Sequence, residues 1–578
     1  MKKLILASYA LLCTVGLNGF AAKSFLLYRS QAVDIARSFV GWQQLRVDLL
    51  EGYYAGNATF TLDYTRSFDA KALSCFLFGG QSITFSGSRV AHRAPGDILA
   101  DYFGLPTDFQ STVWFKPRIE NVIADFDWYG ALHYLCEGLY VRVSTTLVRT
   151  DFDLRPCEHS QQQGRLNYPA GYMASIRIDR EQLAESALYA LSGGVTFGDL
   201  DTPLAYGKIT GKQTLTKLAD IYLGIGYLFA SDDEYHIAGS VHAVVPTGTR
   251  SKACFLFEPQ IGNGHHWAVG VGLNAHYGST WYDNLAIGAY FDMRLEHLFS
   301  SHQKRSFDLL GNGSGSRYML LQEMGAPLFG FSAGVDQALG AVELEGSRSA
   351  VHYSGRIFNA INKTTFDTKI KIPVQADIAL SCVFECGSWQ ATIGYNLWAR
   401  SAEKLVCREP LPTGHYALKG DAQLYGYQQT VFNPEPLFVG LNATQHTATL
   451  HAGQAPGSAS EVFSNTNADS AAAASFLGAP LEQSTVSGLI GTGVTVLERV
   501  YGSAPAQLLS DADINVCSGL SPKGLSNSIF AYVGYTWYEQ CGAIPYVGIG
   551  TKVECGRLSK GRAAVSQWGL WIKGGITY

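Results

Sequence analysis

Apolar and polar positions alternate with a period of two along many stretches of this chain, most clearly in its last eleven residues. Residues 568–578 read W-G-L-W-I-K-G-G-I-T-Y. One parity carries Trp568, Leu570, Ile572, Gly574, Ile576 and Tyr578, and the other Gly569, Trp571, Lys573, Gly575 and Thr577. Successive side chains of a strand point to opposite faces, so this pattern predicts a β-strand with one apolar and one mixed face. The pattern returns in 59–65, where Phe60, Leu62 and Tyr64 oppose Thr61, Asp63 and Thr65. In 267–277, Trp267, Val269, Val271, Leu273 and Ala275 oppose Ala268, Gly270, Gly272, Asn274 and His276. In 285–296, Leu285, Ile287, Ala289, Phe291, Met293 and Leu295 oppose Gly288, Tyr290, Asp292, Arg294 and Glu296. In 374–384, Val374, Ala376, Ile378, Leu380 and Phe384 oppose Gln375, Asp377 and Ser381. The longer of these segments suffice for a tilted strand to cross a bilayer. A soluble sandwich also alternates. The recurrence of a Gly-and-polar second face with so few charges on the first favours a membrane wall.

Segment lengths between the strands supply a second test. In a transmembrane barrel short turns lie on the periplasmic side and long loops outside. Counting back from Tyr578 gives strands at 543–554, 528–537, 437–451, 416–431, 389–400 and 367–384. Short turns are expected at Glu539–Gly542, Asn433–Pro436 and Glu385–Ser388, and long loops at 556–564, 452–527 and 401–415. Upstream, Ser231–Glu234 joins 219–230 to 235–245, and 278–283 joins 267–277 to 284–298. Every short turn falls on one side. The expectation is an all-β fold: a single transmembrane antiparallel up-and-down β-barrel of about 14 strands (12–18), occupying residues 59–578. The Ala- and Ser-rich 452–527 segment reads either as a mobile extracellular loop or as a loop folded into the lumen. Residues 179–191 read as a helix with Asp179 at its N-cap, and Gln31–Trp42 as a short amphipathic helix. The latter belongs to an N-terminal segment, 22–58, that either plugs the barrel or leads into its first strand.

The start of the chain adds a destination. Met1-Lys2-Lys3 is basic, Leu4–Val15 is apolar, and Gly19-Phe20-Ala21 places small residues before a cut at Ala22. This is the form of a secretory signal over 1–21, and its apolar core is too short for a spanning helix. Charged residues are only 16% of the chain, against about 25% in a typical soluble protein, which suits a wall whose alternate residues face lipid. The formal charge of −5 becomes −7 once Lys2 and Lys3 leave, so no nucleic-acid partner is expected. Loss of Cys13 leaves ten of the eleven cysteines, an even number in an exported chain, which suggests disulfides. Cys382 and Cys386 read as flanking a hairpin tip close enough to meet. Cys541 with Cys555, and Cys136 with Cys157, are held too far apart by the strands between them.

The closing strand resembles the C-terminal signature of bacterial outer-membrane β-barrels, which implies that Trp568, Leu570, Ile572, Ile576 and Tyr578 form a signal for the barrel-assembly machinery. L-A-D-I-Y-L-G-I-G-Y (218–227), V-V-P-T-G-T (244–249) and G-N-G-H-H-W-A-V-G-V-G-L (262–273) resemble outer-membrane transport barrels of the FadL and phenol-degradation (MetA-pathway) type. I-P-Y-V-G-I-G-T-K-V (544–553) is similar to a strand common in small outer-membrane barrels. The resemblance implies uptake or diffusion of small solutes, hydrophobic ones included. Its motifs are wall and turn positions and carry over no ligand residues.

Little in the sequence points to catalysis. There is no G-x-S-x-G elbow, H-E-x-x-H helix or phosphate loop, and His265 and His266 are adjacent in a strand and so face opposite ways. No cofactor or metal is expected, and an enzyme is not. Asp292, Arg294 and Glu296 are two apart on one face and can pair along a lumen wall or set a field across a pore. Gln375, Asp377, Lys552 and Glu554 are similar pore-lining candidates. The reading that results is a porin-like channel of the bacterial outer membrane, in contact with lipid and lipopolysaccharide and open to small solutes. The alternative is a structural or adhesive surface barrel containing disulfides. The oligomeric state stays open.

Overall fold

The computed structural model describes residues 23–168, 171–232, 234–282, 285–325, 352–422, 424–428, 437–440, 444–452, 484–485, 495–496, 506–538 and 542–578. Twelve strands form its wall: β1 (Gly56–Ser67), β2 (Arg118–Ala131), β3 (Leu139–Asp153), β4 (Lys212–Asp232), β5 (Tyr235–Val245), β6 (Ala268–Tyr282), β7 (Leu285–Ser306), β8 (Thr365–Cys386), β9 (Trp389–Arg400), β10 (Gly524–Thr536), β11 (Ile544–Gly556) and β12 (Gln567–Thr577). Each pairs antiparallel with its neighbours in chain order, and β12 closes on β1 from Asn57 opposite Thr577 to Ser67 opposite Gln567. The ring has no free edge, which satisfies every wall strand on both sides. A short strand, Lys404–Arg408, adds to β8 beyond the ring.

The count of twelve is the lower end of the expected range. The two surplus strands were read into 416–431 and 437–451. There, Tyr416–Leu418 instead pairs with Leu320–Gly325, and Tyr425–Gln428 pairs with Leu437–Gly440. Tyr416, Ala417 and Leu418 are all buried in a core outside the barrel, so this short strand has no lipid-facing side and is not wall.

The expected sidedness holds around the ring. Segments of a few residues, 132–138, 233–234, 283–284, 387–388 and 537–543, join strands at one end. At Gly387 the tightest of them takes the left-handed conformation, φ +59°, which a side chain would disfavour. All the long connections, 68–117, 154–211, 246–267, 307–364, 401–523 and 557–566, lie at the other end. Their described residues fold together into a cap with its own apolar core, including Phe85, Leu99, Leu105, Phe109, Leu191, Leu320 and Leu418, all fully buried. The helix expected over 179–191 is here a single 3₁₀ turn, Arg180–Gln182, followed by Ala187–Leu191. Its cap is Ser186, whose hydroxyl accepts from Tyr189 N–H, and Asp179 makes no such bond. Leu183 and Ala184 break the run by turning into the cap core. Most of 453–505, and with it the placement of the 452–527 loop, lies outside the described residues, as does the signal. Residues 506–523 return through the cap to β10.

Outward side chains are apolar around the ring, with Ile529, Ile549, Ile572 and Leu380 each more than half exposed. Aromatic side chains gather at both ends of this band. Near the turns, Trp389, Tyr535 and Trp537 stack edge to face and Trp128 donates to the Tyr578 hydroxyl (2.9 Å). Near the loops stand Trp568 against Tyr64, Trp267 and Phe299. Aromatic rings of this kind mark the two interfaces of a bilayer-spanning barrel. Inward aromatics are a second population. Tyr140, Phe530, Tyr532, Tyr546 and Trp571 lie flat across glycines of neighbouring strands, where an added Cβ would sit 2.2–2.4 Å from the ring at Gly226, Gly394, Gly548, Gly575 and Gly550. The abundance of glycine and tyrosine thus has an interior cause as well as an interfacial one.

Candidate functional site

A ring of eight strands is filled by its own side chains, whereas wider rings leave room inside. Here residues 23–50 take that room. The segment enters at the loop end, where Ser24 Oγ donates to Ser306 O (2.7 Å) and Leu27 N–H to Ser521 Oγ (3.2 Å). It leaves at the turn end, where Leu49 O lies 3.0 Å from His133 Nε2. On the way it forms two helices, α1 (Ile35–Phe39) and α2 (Gln43–Leu50). Asp34 caps α1, accepting from Arg37 N–H (3.3 Å). At the other end Lys573 Nζ, on the inward face of β12, donates to Arg37 O (2.9 Å) and Ser38 O (2.5 Å). A cation there satisfies carbonyls that the helix leaves unpaired.

Apolar packing and charge together hold the segment to the wall: Trp42, Leu45, Leu49 and Leu50 cluster with Tyr129, Tyr140 and Tyr546, and Ile35, Ala36 and Val40 with Phe530, Tyr532 and Trp571. Arg29 reaches both carboxylate oxygens of Asp377 (3.0 Å each) and Asn396 Oδ1 (2.8 Å), with Glu554 3.6 Å away. Arg37 bridges Asp125 (2.6 Å) and Asp63 (2.8 Å). Arg46 meets Asp292 (2.8 Å), and Asp34 pairs with Lys552. The guanidinium groups of Arg46 and Arg142 face the Phe39 ring at 4.2 and 4.4 Å. Arg142 in turn pairs with Asp127. Between them these contacts leave two small cavities. One, of about 30 Å³, is bounded by Phe39, Tyr222, Asp292 and Arg294; the other, of about 20 Å³, by Tyr28, Asp34 and Lys552. Each is of the size that holds a water molecule or two.

All seven residues singled out from the sequence point inward and are buried. Asp292, Asp377, Lys552 and Glu554 are brought together with the 23–50 segment. Arg294, Glu296 and Gln375 form a separate wall group. Gln375 donates to Glu296 (3.0 Å), which lies 3.3 Å from His242 Nε2 and 3.9 Å from Arg294 Nε, while Arg294 faces the Tyr222 ring at 4.4 Å. Trp568, Leu570, Ile572, Ile576 and Tyr578 face outward on β12. His265 and His266 lie ahead of β6 and not in a strand: His266 is buried with Nδ1 2.6 Å from Phe299 O, and His265 sits in a left-handed turn, φ +63°. Among the described residues no group of His, Cys, Asp and Glu is arranged to hold a metal ion.

One cysteine expectation is corrected. Cys382 and Cys386 both belong to β8, since the turn begins only at Gly387. Four residues apart on an extended strand they are separated by about 13 Å, beyond disulfide reach. The nine described cysteines are all free, and none is buried.

Comparison with solved structures returns barrels. The transport unit of the autotransporter AIDA-I from Escherichia coli overlaps with a TM-score of 0.25 at 5% identity, covering 93% of this chain and 97% of that one. A Pseudomonas aeruginosa FadL homologue gives 0.24 at 8%, covering 91% and 90%. The Pseudomonas putida toluene transporter TodX gives 0.27 at 8%, covering 97% of each. No protein-family model matches the chain, and no curated protein does. A closed, even-numbered antiparallel ring with an apolar outer band and aromatic borders has a plain structural meaning. The architecture is that of an outer-membrane β-barrel.

Sequence reasoning missed the charges that the wall residues answer. Arg29, Asp34, Arg37 and Arg46 lie in a short stretch upstream of the first strand, and their wall partners lie from 26 residues away (Arg37 to Asp63) to 518 (Asp34 to Lys552). The available signal was chemical: wall carboxylates at Asp63, Asp125, Asp127, Asp292 and Asp377 all sit on the non-lipid parity and need cations inside.

Proposed function

We propose that this chain is an outer-membrane barrel, exported by its 1–21 signal, that passes small solutes, hydrophobic ones included, through a lumen governed by residues 23–50. The observation that carries this reading is the row of buried ion pairs that runs through the contact between that segment and the wall, among its apolar clusters. A permanent filling is best made of apolar side chains, whereas a surface of paired charges is equally at home in water. With the segment withdrawn, the lumen becomes a passage lined by Asp63, Asp125, Asp292 and Asp377, and rings of carboxylates favour cations. Passive diffusion of the porin kind then belongs to the withdrawn state, and Arg294, beside the larger cavity, tunes its selectivity.

Planar-bilayer recording tests this directly. The full chain is expected to conduct little. A variant lacking residues 23–50 is expected to conduct freely with cation preference, and Arg294→Ala in that background strengthens the preference. If the shortened barrel runs as a folded, heat-modifiable species on gels yet carries no current, the transport reading is wrong.

One observation favours a second reading, a structural or adhesive surface barrel. Free cysteine is ordinarily among the most buried residues, yet Cys136, Cys157, Cys382, Cys386, Cys407, Cys517 and Cys555 are exposed. Intermolecular disulfide ladders on non-reducing gels of isolated envelopes, with no conductance from either form of the barrel, are the outcome that selects it.

A further inference from the structure

The outer wall carries a shallow, open apolar depression, and it lies where the strand ladder is irregular. Between β7 and β8 the register slips twice, after Glu296 opposite Gln375 and again around Leu298 opposite Ile372. Pro373 sits at the slip, where it offers no N–H to the ladder. Beside this break the wall is dished into an apolar hollow of about 860 Å³, lined on the outside by Leu223, Val241, Val269, Val271, Leu295 and Val374. Its floor includes Gly224 and Gly270, backed from inside by the Tyr222 and His242 rings.

Immediately toward the loop end of the hollow the same outer face turns basic. Lys371 of β8 stands directly opposite Lys404 of the added strand, and Lys369 lies between His302 and Cys407 in the next outward row. Residues two apart on a strand are separated by about 7 Å, so these cations form one cluster just above Pro373. Of the nearby acids, Asp367 pairs with Lys304 (3.0 Å) and Asp511 with Arg408 (2.6 Å), and Glu409, whose N–H donates to Asp367 O (3.3 Å), stands beside them. Lys369, Lys371 and Lys404 make no ion pair among the described residues. Like charges directly opposite across two strands are destabilising, and here they persist at the level of Trp267 and Phe299, where an interface is marked.

We infer that the hollow and the lysine cluster together form a binding site for a phosphorylated, multiply acylated glycolipid of the external leaflet. Acyl chains occupy the hollow, and the phosphates rest between Lys369, Lys371 and Lys404. The position at the loop end selects the external leaflet, and the density of unpaired cations selects phosphate over a zwitterionic head. This assignment rests on the membrane reading above and not on transport.

The test is native mass spectrometry of the full-length protein in detergent, titrated with bis-phosphorylated lipid A, its dephosphorylated form and the deacylated sugar phosphate. The phosphorylated, acylated lipid is expected to bind at least tenfold more tightly than either of the others. The triple variant Lys369→Gln, Lys371→Gln, Lys404→Gln is expected to lose about a hundredfold, as three cations near a membrane surface allow. Heat-modifiability on gels verifies that it still folds, since all three side chains are outside the wall. Equal binding of the phosphorylated and dephosphorylated lipids overturns the site, and so does undiminished binding to the triple variant. Binding of the deacylated sugar phosphate as tight as that of lipid A removes the hollow from it and overturns the joint assignment. A wild-type chain that gives no folded, heat-modifiable species in detergent overturns the membrane reading instead, and the site with it.

Discussion

Residues 23–50 meet the barrel through a row of ion pairs set among apolar clusters, whereas the cap just above them is held mainly by one apolar core. In the lumen Arg29, Arg37 and Arg46 each end on a wall carboxylate at 2.6–3.0 Å. In the cap Phe85, Leu99, Phe109 and Leu418 are fully enclosed with no polar atom to offer. The two surfaces are comparably buried but respond differently to water. Burying an apolar side chain contributes about 1.5–3 kcal/mol that is forfeited on exposure. A buried ion pair contributes little net, because desolvation offsets most of the attraction, and hydration is regained when the partners separate together. Under the proposed function the 23–50 segment is therefore the part that releases and the cap the part that stays, and the ion pairs make the difference.

The sharpest way to break that contrast is to remove one side of a pair. Arg37→Ala leaves Asp63 and Asp125 inside the lumen without their cation, at an expected cost of about 3–5 kcal/mol. The expected readout is release of the segment: raised single-channel conductance and protease access to residues 23–50, with the cap unchanged. Leu99→Ala is the counterpart, expected to cost the cap about 2–5 kcal/mol through the cavity it leaves. Its readout is earlier thermal loss of the cap signal with conductance as in the wild type. A Leu99→Ala barrel that opens, or an Arg37→Ala barrel that stays shut, would erase the distinction.

How much of this was legible in the chain follows the range of the interactions. The wall was, because alternation is local: β5, β9, β11 and β12 appear within a residue or two of the expected limits, and the inward parity of Asp292 and Asp377 followed from it. The cap was not, because Tyr416–Leu418 belongs to a stretch that reads as a wall strand and only its partner at Leu320–Gly325 reveals otherwise. Trp571 shows the same limit on a smaller scale. Its parity places it inside, but its reason for being there is Gly550 on the neighbouring strand, where a Cβ would come within 2.4 Å of the indole. The lumen pairs were the least legible of all, since Arg29 finds Asp377 only after the ring has closed.

The smallest expected effect sharpens the comparison from the cap side, through two of the charges it buries, apart from the Asp308–Arg317 pair. Burial pushes the Lys419 ammonium down to about 7, against the opposing pull of Asp421 and Asp101, and its Nζ lies 3.4 Å from the centre of the Tyr172 ring. Burial pushes the Asp101 carboxyl up to about 6, although Ser88 donates to it from both N–H (3.0 Å) and Oγ (2.7 Å). The signs are opposite. For Asp101 the folded cap holds a proton that the unfolded chain gives up near 3.8, so stability falls as pH rises toward 6. For Lys419 the unfolded chain keeps its proton up to 10.5 while the folded cap sheds it near 7, so stability climbs as pH rises above 7. The cap is thus expected to be least stable between about pH 6 and 7, and hydrogen exchange of its core amides, corrected for intrinsic rates, reads this as a shallow maximum in opening. Asp101→Asn flattens the acid limb and Lys419→Met the alkaline one. An opening profile that is flat from pH 5 to 8 would mean that neither charge is held in the core as its surroundings require, and the cap would then differ from the lumen only in how many charges it admits.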